Sequence, residues 1–257
     1  ALTTGADGSI YIAGITEGDL HGQRNWSSED AFICKFNPDG TKAWTRLLDL
    51  TSWNGFYSEN PLIDEVEVSA LTTGNDGSIY IVGTSRGWGI LETGYSGSDI
   101  FLAKFNPDGT KVWTRLLGTS SEDSVNALTT GADGSIYISG RTSGDLDGQT
   151  NNGSYSEDAF ITKFNPDGTK VWTKLFGSFD DDSANALTTG ADGSIYITGR
   201  TSSDLDGQTN SGSTDAFLIK FVDDEIIGTL GNDTLYGTSE DDVVSGLNGD
   251  DVIYGQE

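Results

Sequence analysis

Along most of the chain apolar residues alternate with small or polar ones over runs of four to seven residues, and Ala-Asp-Gly or Asn-Pro-Asp-Gly separates the runs. A period of two is the mark of a strand, whose successive side chains point to opposite faces of a sheet. The separators are turn chemistry. In Asn165-Pro166-Asp167-Gly168 the proline presets φ at the second turn position, and the glycine supplies the positive φ that lets the chain reverse. One stretch of the pattern predicts strands at residues 127–130, 135–139, 159–164 and 170–175, read as two hairpins. No stretch shows helical periodicity. Val112-Trp113-Thr114-Arg115-Leu116-Leu117 places bulky groups on both faces, as a sheet covered on both sides requires.

The pattern is also a repeat. Residues 1–14 (Ala-Leu-Thr-Thr-Gly-Ala-Asp-Gly-Ser-Ile-Tyr-Ile-Ala-Gly) recur at 70–83, 127–140 and 186–199. A second block follows at 30–44, 99–113 and 158–172, and a shortened copy at 215–221. A four-stranded unit in tandem cannot bury both faces alone and must be covered by its neighbours, which is the sequence signature of a β-propeller blade. The expected fold is all-β: a β-propeller of four-stranded blades, with four repeats starting at residues 1, 70, 127 and 186 and filling 1–222, followed by a short parallel β-roll over 223–257. Trp44, Trp113 and Trp172 hold equivalent places, which assigns them to packing between blades rather than to a ligand.

Residues 158–168 (Asp-Ala-Phe-Ile-Thr-Lys-Phe-Asn-Pro-Asp-Gly) and 192–199 (Asp-Gly-Ser-Ile-Tyr-Ile-Thr-Gly) resemble the seven-bladed β-propeller repeat family of secreted bacterial proteins. The resemblance implies export from the cell. It departs in number, since only four first-strand blocks are present and the last unit lacks the Lys-Val-Trp-Thr strand. The ring is therefore either a small four-bladed one or part of a larger one.

From residue 223 the composition shifts to ten acidic residues with no Lys or Arg. Such a run is ordinarily a disordered acidic tail. Its spacing argues otherwise: Gly228, Gly237, Gly246 and Gly255 lie nine residues apart, as do Asp233, Asp242 and Asp251, and Leu235, Val244 and Ile253. This pattern resembles the repeats-in-toxin (RTX, hemolysin-type) calcium-binding nonapeptide. Glycine lets each turn close tightly and aim carbonyl oxygens inward, while Asp adds a hard anionic oxygen. The resemblance implies Ca2+ as the cofactor, held by Asp233, Asp242 and Asp251 with Asn232, Asp250, Gly231 and Gly249. It implies a parallel roll with each ion shared between loops two units apart, so that Asp233 and Asp251 flank one ion and Asp242 needs a partner beyond Gly255.

A weaker metal candidate is the pair of loops Asp145-Leu-Asp147-Gly-Gln and Asp204-Leu-Asp206-Gly-Gln, with Asp19-Leu-His21-Gly-Gln in the first unit. Each Asp-x-Asp-Gly holds half of an EF-hand-like ligand set; the competing reading is that these aspartates cap turns through backbone N–H groups. Asp30, Asp99, Asp158 and Asp215 precede the third strand of every unit, and their repetition favours a strand-start hydrogen bond over chemistry. Glu122, Asp123, Asp181 and Asp182 are expected to form a solvated acidic rim between units.

Charge and rare residues narrow the function. A net charge of −26 repels nucleic acid and anionic lipid and favours cations as partners. One Cys and one His exclude an internal disulfide, a thiolate cluster and a multi-histidine metal site. No apolar run reaches the roughly 18 residues of a membrane helix. No Gly-x-Ser-x-Gly elbow, metal-histidine motif or unique nucleophile with its base is read in the chain, so no catalytic residue is assigned and the protein is expected not to be an enzyme. The expectation is a secreted or cell-surface calcium-binding protein whose propeller is a scaffold for structural or adhesive interaction with a glycan or another extracellular protein. The alternatives are a carbohydrate-binding module, with Trp26, Trp53, Trp88 and Tyr155 as loop aromatics, or the non-catalytic portion of a secreted hydrolase.

Overall fold

The computed structural model describes residues 1–25, 29–48, 50, 63–87, 97–153, 156–190 and 193–221, and the strand backbones at 225–227, 234–236, 243–245 and 252–254. The described residues contain strands and no helix. The first blade holds β1 (Leu2–Thr4), β2 (Ile10–Thr16), β3 (Asp30–Phe36) and β4 (Lys42–Leu48). The second holds β5 (Ile63–Thr73), β6 (Ile79–Gly87), β7 (Ser98–Phe105) and β8 (Lys111–Leu117), and the third β9 (Asp123–Thr130), β10 (Ile136–Thr142), β11 (Asp158–Phe164) and β12 (Lys170–Phe176). The fourth has three strands among the described residues: β13 (Asp182–Thr189), β14 (Ile195–Thr201) and β15 (Asp215–Phe221). Each blade is a meander in chain order, as in a β-propeller.

Contacts divide the chain into two units, Ala1–Thr189 with Tyr196–Ile219, and Gly190–Ile195 with Lys220–Glu257. Within the first, β5 packs on β1, β2 and β3, β9 on β5, β6 and β7, and β13 on β9, β10 and β11. The cores lie between the blades. Val82, Ile100 and Leu102 of the second blade meet Val125, Ile138 and Phe160 of the third, and Ile79, Ile81 and Phe101 join Ala13, Ile33 and Leu48 of the first. Every residue of β7 and β11 is buried, whereas exposure alternates along β15. Leu218 is 72% exposed where its equivalents Leu102 and Ile161 are buried, because no blade covers that face of the fourth sheet among the described residues.

A repeated clamp ties the first blade to the second and the second to the third. Trp44 Nε1 donates to Pro107 O at 3.2 Å, and Arg46 Nε to Gly109 O at 3.0 Å. One blade on, Trp113 Nε1 donates to Pro166 O at 3.4 Å and Arg115 Nε to Gly168 O at 2.8 Å. Each guanidinium lies over its own tryptophan ring, 5.5 Å and 5.3 Å from the centroid. The packing role expected of Trp44 and Trp113 is thus met in full.

The first strand of the third blade begins at Asp123, four residues before the predicted 127. A β-bulge at Asn126 separates the missed residues from the predicted strand. Ser139 pairs with Ala127 but Gly140 with Val125, which leaves Asn126 outside the ladder. Asn126 Nδ2 then donates to Ala184 O at 2.8 Å, so the extra residue reaches the next blade. The alternation of apolar residues that located strands fails at a bulge, because the period slips by one.

The second unit holds β16 (Glu225–Ile227), β17 (Thr234–Tyr236), β18 (Val243–Ser245) and β19 (Val252–Tyr254), which start nine residues apart. β16 pairs in parallel with β18, and β17 with β19, so pairing skips a strand each time, as in a β-roll. The sequence pattern counted from Gly228 gives three rungs; Glu225-Ile226-Ile227 is a fourth with no glycine turn before it.

Candidate calcium centre and the loops between strands

The seven residues expected to hold calcium, Asp233, Asp242, Asp251, Asn232, Asp250, Gly231 and Gly249, lie outside the described residues, as do Trp26, Trp53, Trp88 and Tyr155. The described strands carry the register instead. Thr234 pairs with Val252 and Glu225 with Val243, so units two apart in sequence stand side by side. The donor chemistry fits a hard divalent ion: carboxylate and main-chain oxygens at nine-residue intervals, with no thiolate or imidazole in the tail.

The Asp-x-Asp-Gly loops are structural turns. His21 and Gly22, Asp147 and Gly148, and Asp206 and Gly207 all have positive φ, which makes each a tight reversal closed by bridges Leu20 to Gln23, Leu146 to Gln149 and Leu205 to Gln208. The first aspartate of each loop accepts a backbone N–H six residues on: Asp19 from Asn25 at 2.9 Å, Asp145 from Asn151 at 3.0 Å, Asp204 from Asn210 at 2.8 Å. Asp147 holds β12, accepting from Lys170 Nζ and Thr173 Oγ1. His21 replaces it in the first blade and meets Thr45 Oγ1 through Nδ1 at 3.0 Å. Among the described residues no group of three His, Cys, Asp or Glu is placed to hold a metal. Asp145 Oδ1 thus closes a turn, both oxygens of Asp147 contact β12, and Asp204 repeats the role of Asp145.

The acidic rim is a correction. Asp123 and Asp182 are 0% and 1% exposed and begin strands, rather than lying solvated between units. Asp123 Oδ2 accepts from Thr119 N, and Asp182 Oδ2 from Ser178 N, each closing a short turn at 2.5 Å. Glu122 does stay at the surface, paired with Arg86 at 3.1 Å, and Asp181 accepts from Glu157 N. Glycine brings the acids close: a Cβ on Gly177 would sit 2.4 Å from Asp158 Oδ1 and 3.1 Å from Asp182 Oδ2, and Gly118 stands likewise between Asp99 and Asp123. The signal was present as Gly-Thr/Ser-x-x-x-Asp at 118–123 and 177–182, but acidic composition outweighed it.

Burial holds Asp123 above the ordinary carboxylate value of 3.8, against donors on Thr142 and Thr119, with Glu122 adding to the rise. Burial also raises Asp158, opposed by the Asn152 N–H and reinforced by the charge of Asp182. The exposed turn acids behave oppositely. Backbone N–H groups of Ser9, Thr110 and Thr169 hold Asp7, Asp108 and Asp167 below 3.8. Above 3.8 the native state keeps protons on Asp123 and Asp158 that the unfolded chain has released, so stability falls as pH rises through their raised values. The turn acids contribute fully above 3.8 and lose their contribution as pH falls through their lowered values. Melting temperature in chelator is therefore expected to peak on the acid side of neutrality. Asp158→Asn should flatten the neutral limb and spare the acid limb; an unchanged profile in that variant refutes the assignment.

Gly83-Thr84-Ser85-Arg86-Gly87 has the Gly-x-Ser-x-Gly spacing that the sequence reading did not register. It runs inside β6, with Ser85 1% exposed and its hydroxyl donating to Asp99 O, rather than at a strand-to-helix turn.

Similarity to known proteins decides the tail. Residues 223–257 match the RTX calcium-binding nonapeptide repeat (4 copies). The four rungs of the roll are the structural counterpart of that match. The regulatory protein FlaEY of Caulobacter vibrioides is 32% identical over 167 residues, which cover 59% of this chain and 18% of that protein. The chain thus spans about a fifth of that relative. Among solved structures, a putative gluconolactonase is 14% identical with a TM-score of 0.38, covering 85% of this chain and 57% of that one. An exo-1,5-alpha-L-arabinanase from a bovine ruminal metagenomic library is 10% identical with a TM-score of 0.37, covering 85% and 72%. Neither likeness bears on what this chain binds.

Proposed function

We propose that the chain is a secreted or cell-surface calcium-binding protein without catalytic activity, in which the propeller is a scaffold for structural or adhesive contacts and Ca2+ orders the roll. The observation that carries this reading is the parallel pairing of rungs two units apart within the segment that matches the RTX repeat. Outside cells millimolar calcium suits sites built from hard oxygens, and binding there supplies folding free energy by mass action. At a calcium concentration of 100 times Kd that contribution is about 2.7 kcal/mol.

The test is calcium titration by calorimetry and circular dichroism on the full chain and on a version ending at Val222. The full chain is expected to bind Ca2+ and gain strand signal, and the shortened chain to do neither. Asp233→Asn with Asp251→Asn should weaken binding at least about tenfold, by removing both carboxylates from one ion. Equal binding by the two chains removes the roll as the calcium site.

A further inference from the structure

Blades one and three show how a fourth strand is held, and among the described residues blade four has the holding groups without the strand. In blade three the Gln149 amide bridges β12 as another strand would, donating to Thr173 O while its Oε1 accepts from Leu175 N at 2.9 Å. Gln23 repeats this on β4, with Thr45 O at 2.6 Å and Leu47 N at 2.9 Å. Asp147 adds the Lys170 ammonium and the Thr173 hydroxyl, and Thr162 meets that hydroxyl from β11 at 3.0 Å.

In blade four the equivalents are Asp206 and Gln208, on a loop of the same conformation. No strand follows β15 in its sheet, so among the described residues these two side chains lack the partners of Asp147 and Gln149. Between that loop and β15 runs a groove of about 390 Å³, lined by Leu205, Asp206, Gln208, Asn210, Phe217 and Ile219. It combines apolar side chains with two carboxylates, Asp206 and Asp215, and two amides, Gln208 and Asn210. The clamp is incomplete at the same place. Trp44 and Trp113 each donate to the proline carbonyl of the next blade's Asn-Pro-Asp-Gly turn, while the fourth unit has no such turn for Trp172.

We infer that this groove is a strand-docking site, which takes an extended segment of another polypeptide with the chemistry of Asn-Pro-Asp-Gly-Thr-Lys-x-x-Thr-x-Leu. The segment adds to the open edge of β15 by main-chain hydrogen bonds. Its lysine and threonine bind Asp206, its backbone on either side of the residue after that threonine binds the Gln208 amide, and its turn carbonyl receives Trp172 Nε1–H. Charge selects the lysine: the carboxylate at the groove excludes an acidic residue at that position. This inference is independent of calcium and of the roll.

The probe is a synthetic peptide with the sequence of residues 165–177, fluorescently labelled and titrated with the full-length chain. Saturable binding is expected for this peptide and not for a scrambled one. Asp206→Asn and Gln208→Ala, checked for native circular dichroism, should each weaken it roughly tenfold, the loss that follows from one charge-assisted contact or a pair of neutral ones. Replacing the peptide threonine that corresponds to Thr173 by valine should weaken it similarly on the unaltered protein, which needs no protein variant to fold. Binding of the scrambled peptide at equal affinity, absence of saturation, or indifference to all three substitutions overturns the inference.

Discussion

Gly140→Ala is expected to lower stability by ~3 kcal/mol, the upper range for overpacking, because the added carbon would meet backbone rather than a movable side chain. Its position lies 1.9 Å from Ser124 O and 2.8 Å from Val125 Cα, in the bulge that passes Asn126 to the next blade. Relief requires β9 to separate from β10, which breaks the ladder and withdraws the Asn126 bond to Ala184. The internal control is Gly14→Ala, the same repeat position in the first blade, where the nearest atom is the Phe32 ring edge at 3.1 Å. That variant should stay within about 1 kcal/mol of the parent. Urea midpoints of the two, measured side by side, decide the matter: equal losses would mean that the bulge does not impose the glycine.

Trp113→Ala is expected to cost about 3 kcal/mol, the low end for removing a packed tryptophan because the ring is only partly buried. The loss has three parts: contact with the Gly168 turn, whose hypothetical Cβ would lie 2.9 Å from the indole, the tilted stack on Tyr80 at 6.1 Å, and the support under Arg115. Trp113→Phe should recover the packing but not the bond to Pro166 O, and so lose about 1 kcal/mol through that bond. Native-state hydrogen exchange is the second readout. Amides of β11 and β12 should exchange faster in Trp113→Ala while those of β2 and β3 hold, and uniform acceleration across all blades would contradict a clamp between blades two and three.

The repeat, the turns and the blade strands were legible because each is a local signal: period-two alternation, Asn-Pro-Asp-Gly, and the recurrence of whole blocks. The nine-residue tail was legible for the same reason, and the roll gains only its first rung from the structure, since Glu225-Ile226-Ile227 has no preceding glycine to announce it. What stayed hidden is what depends on neighbours. Asp123 and Asp182 read as surface charge because composition carries no information about the Gly118 and Gly177 turns that fold them under. The contacts of Asp147 with Lys170 and Thr173 were hidden for the same reason, since those residues sit on the far side of a hairpin. Gln23 and Gln149 drew no notice at all, since an amide that imitates a strand is recognisable only once the strand's edge is in view.

The clamp has an evolutionary corollary. Arg46 and Arg115 read carbonyl oxygens of a turn, which every residue possesses, and not the side chains of a particular neighbour. The clamp itself therefore asks of the neighbouring blade only that it bear the turn, so it survives duplication or deletion of a copy without matched substitutions of its own. Lineages built from this module are expected to differ in copy number more freely than in the residues of the seam.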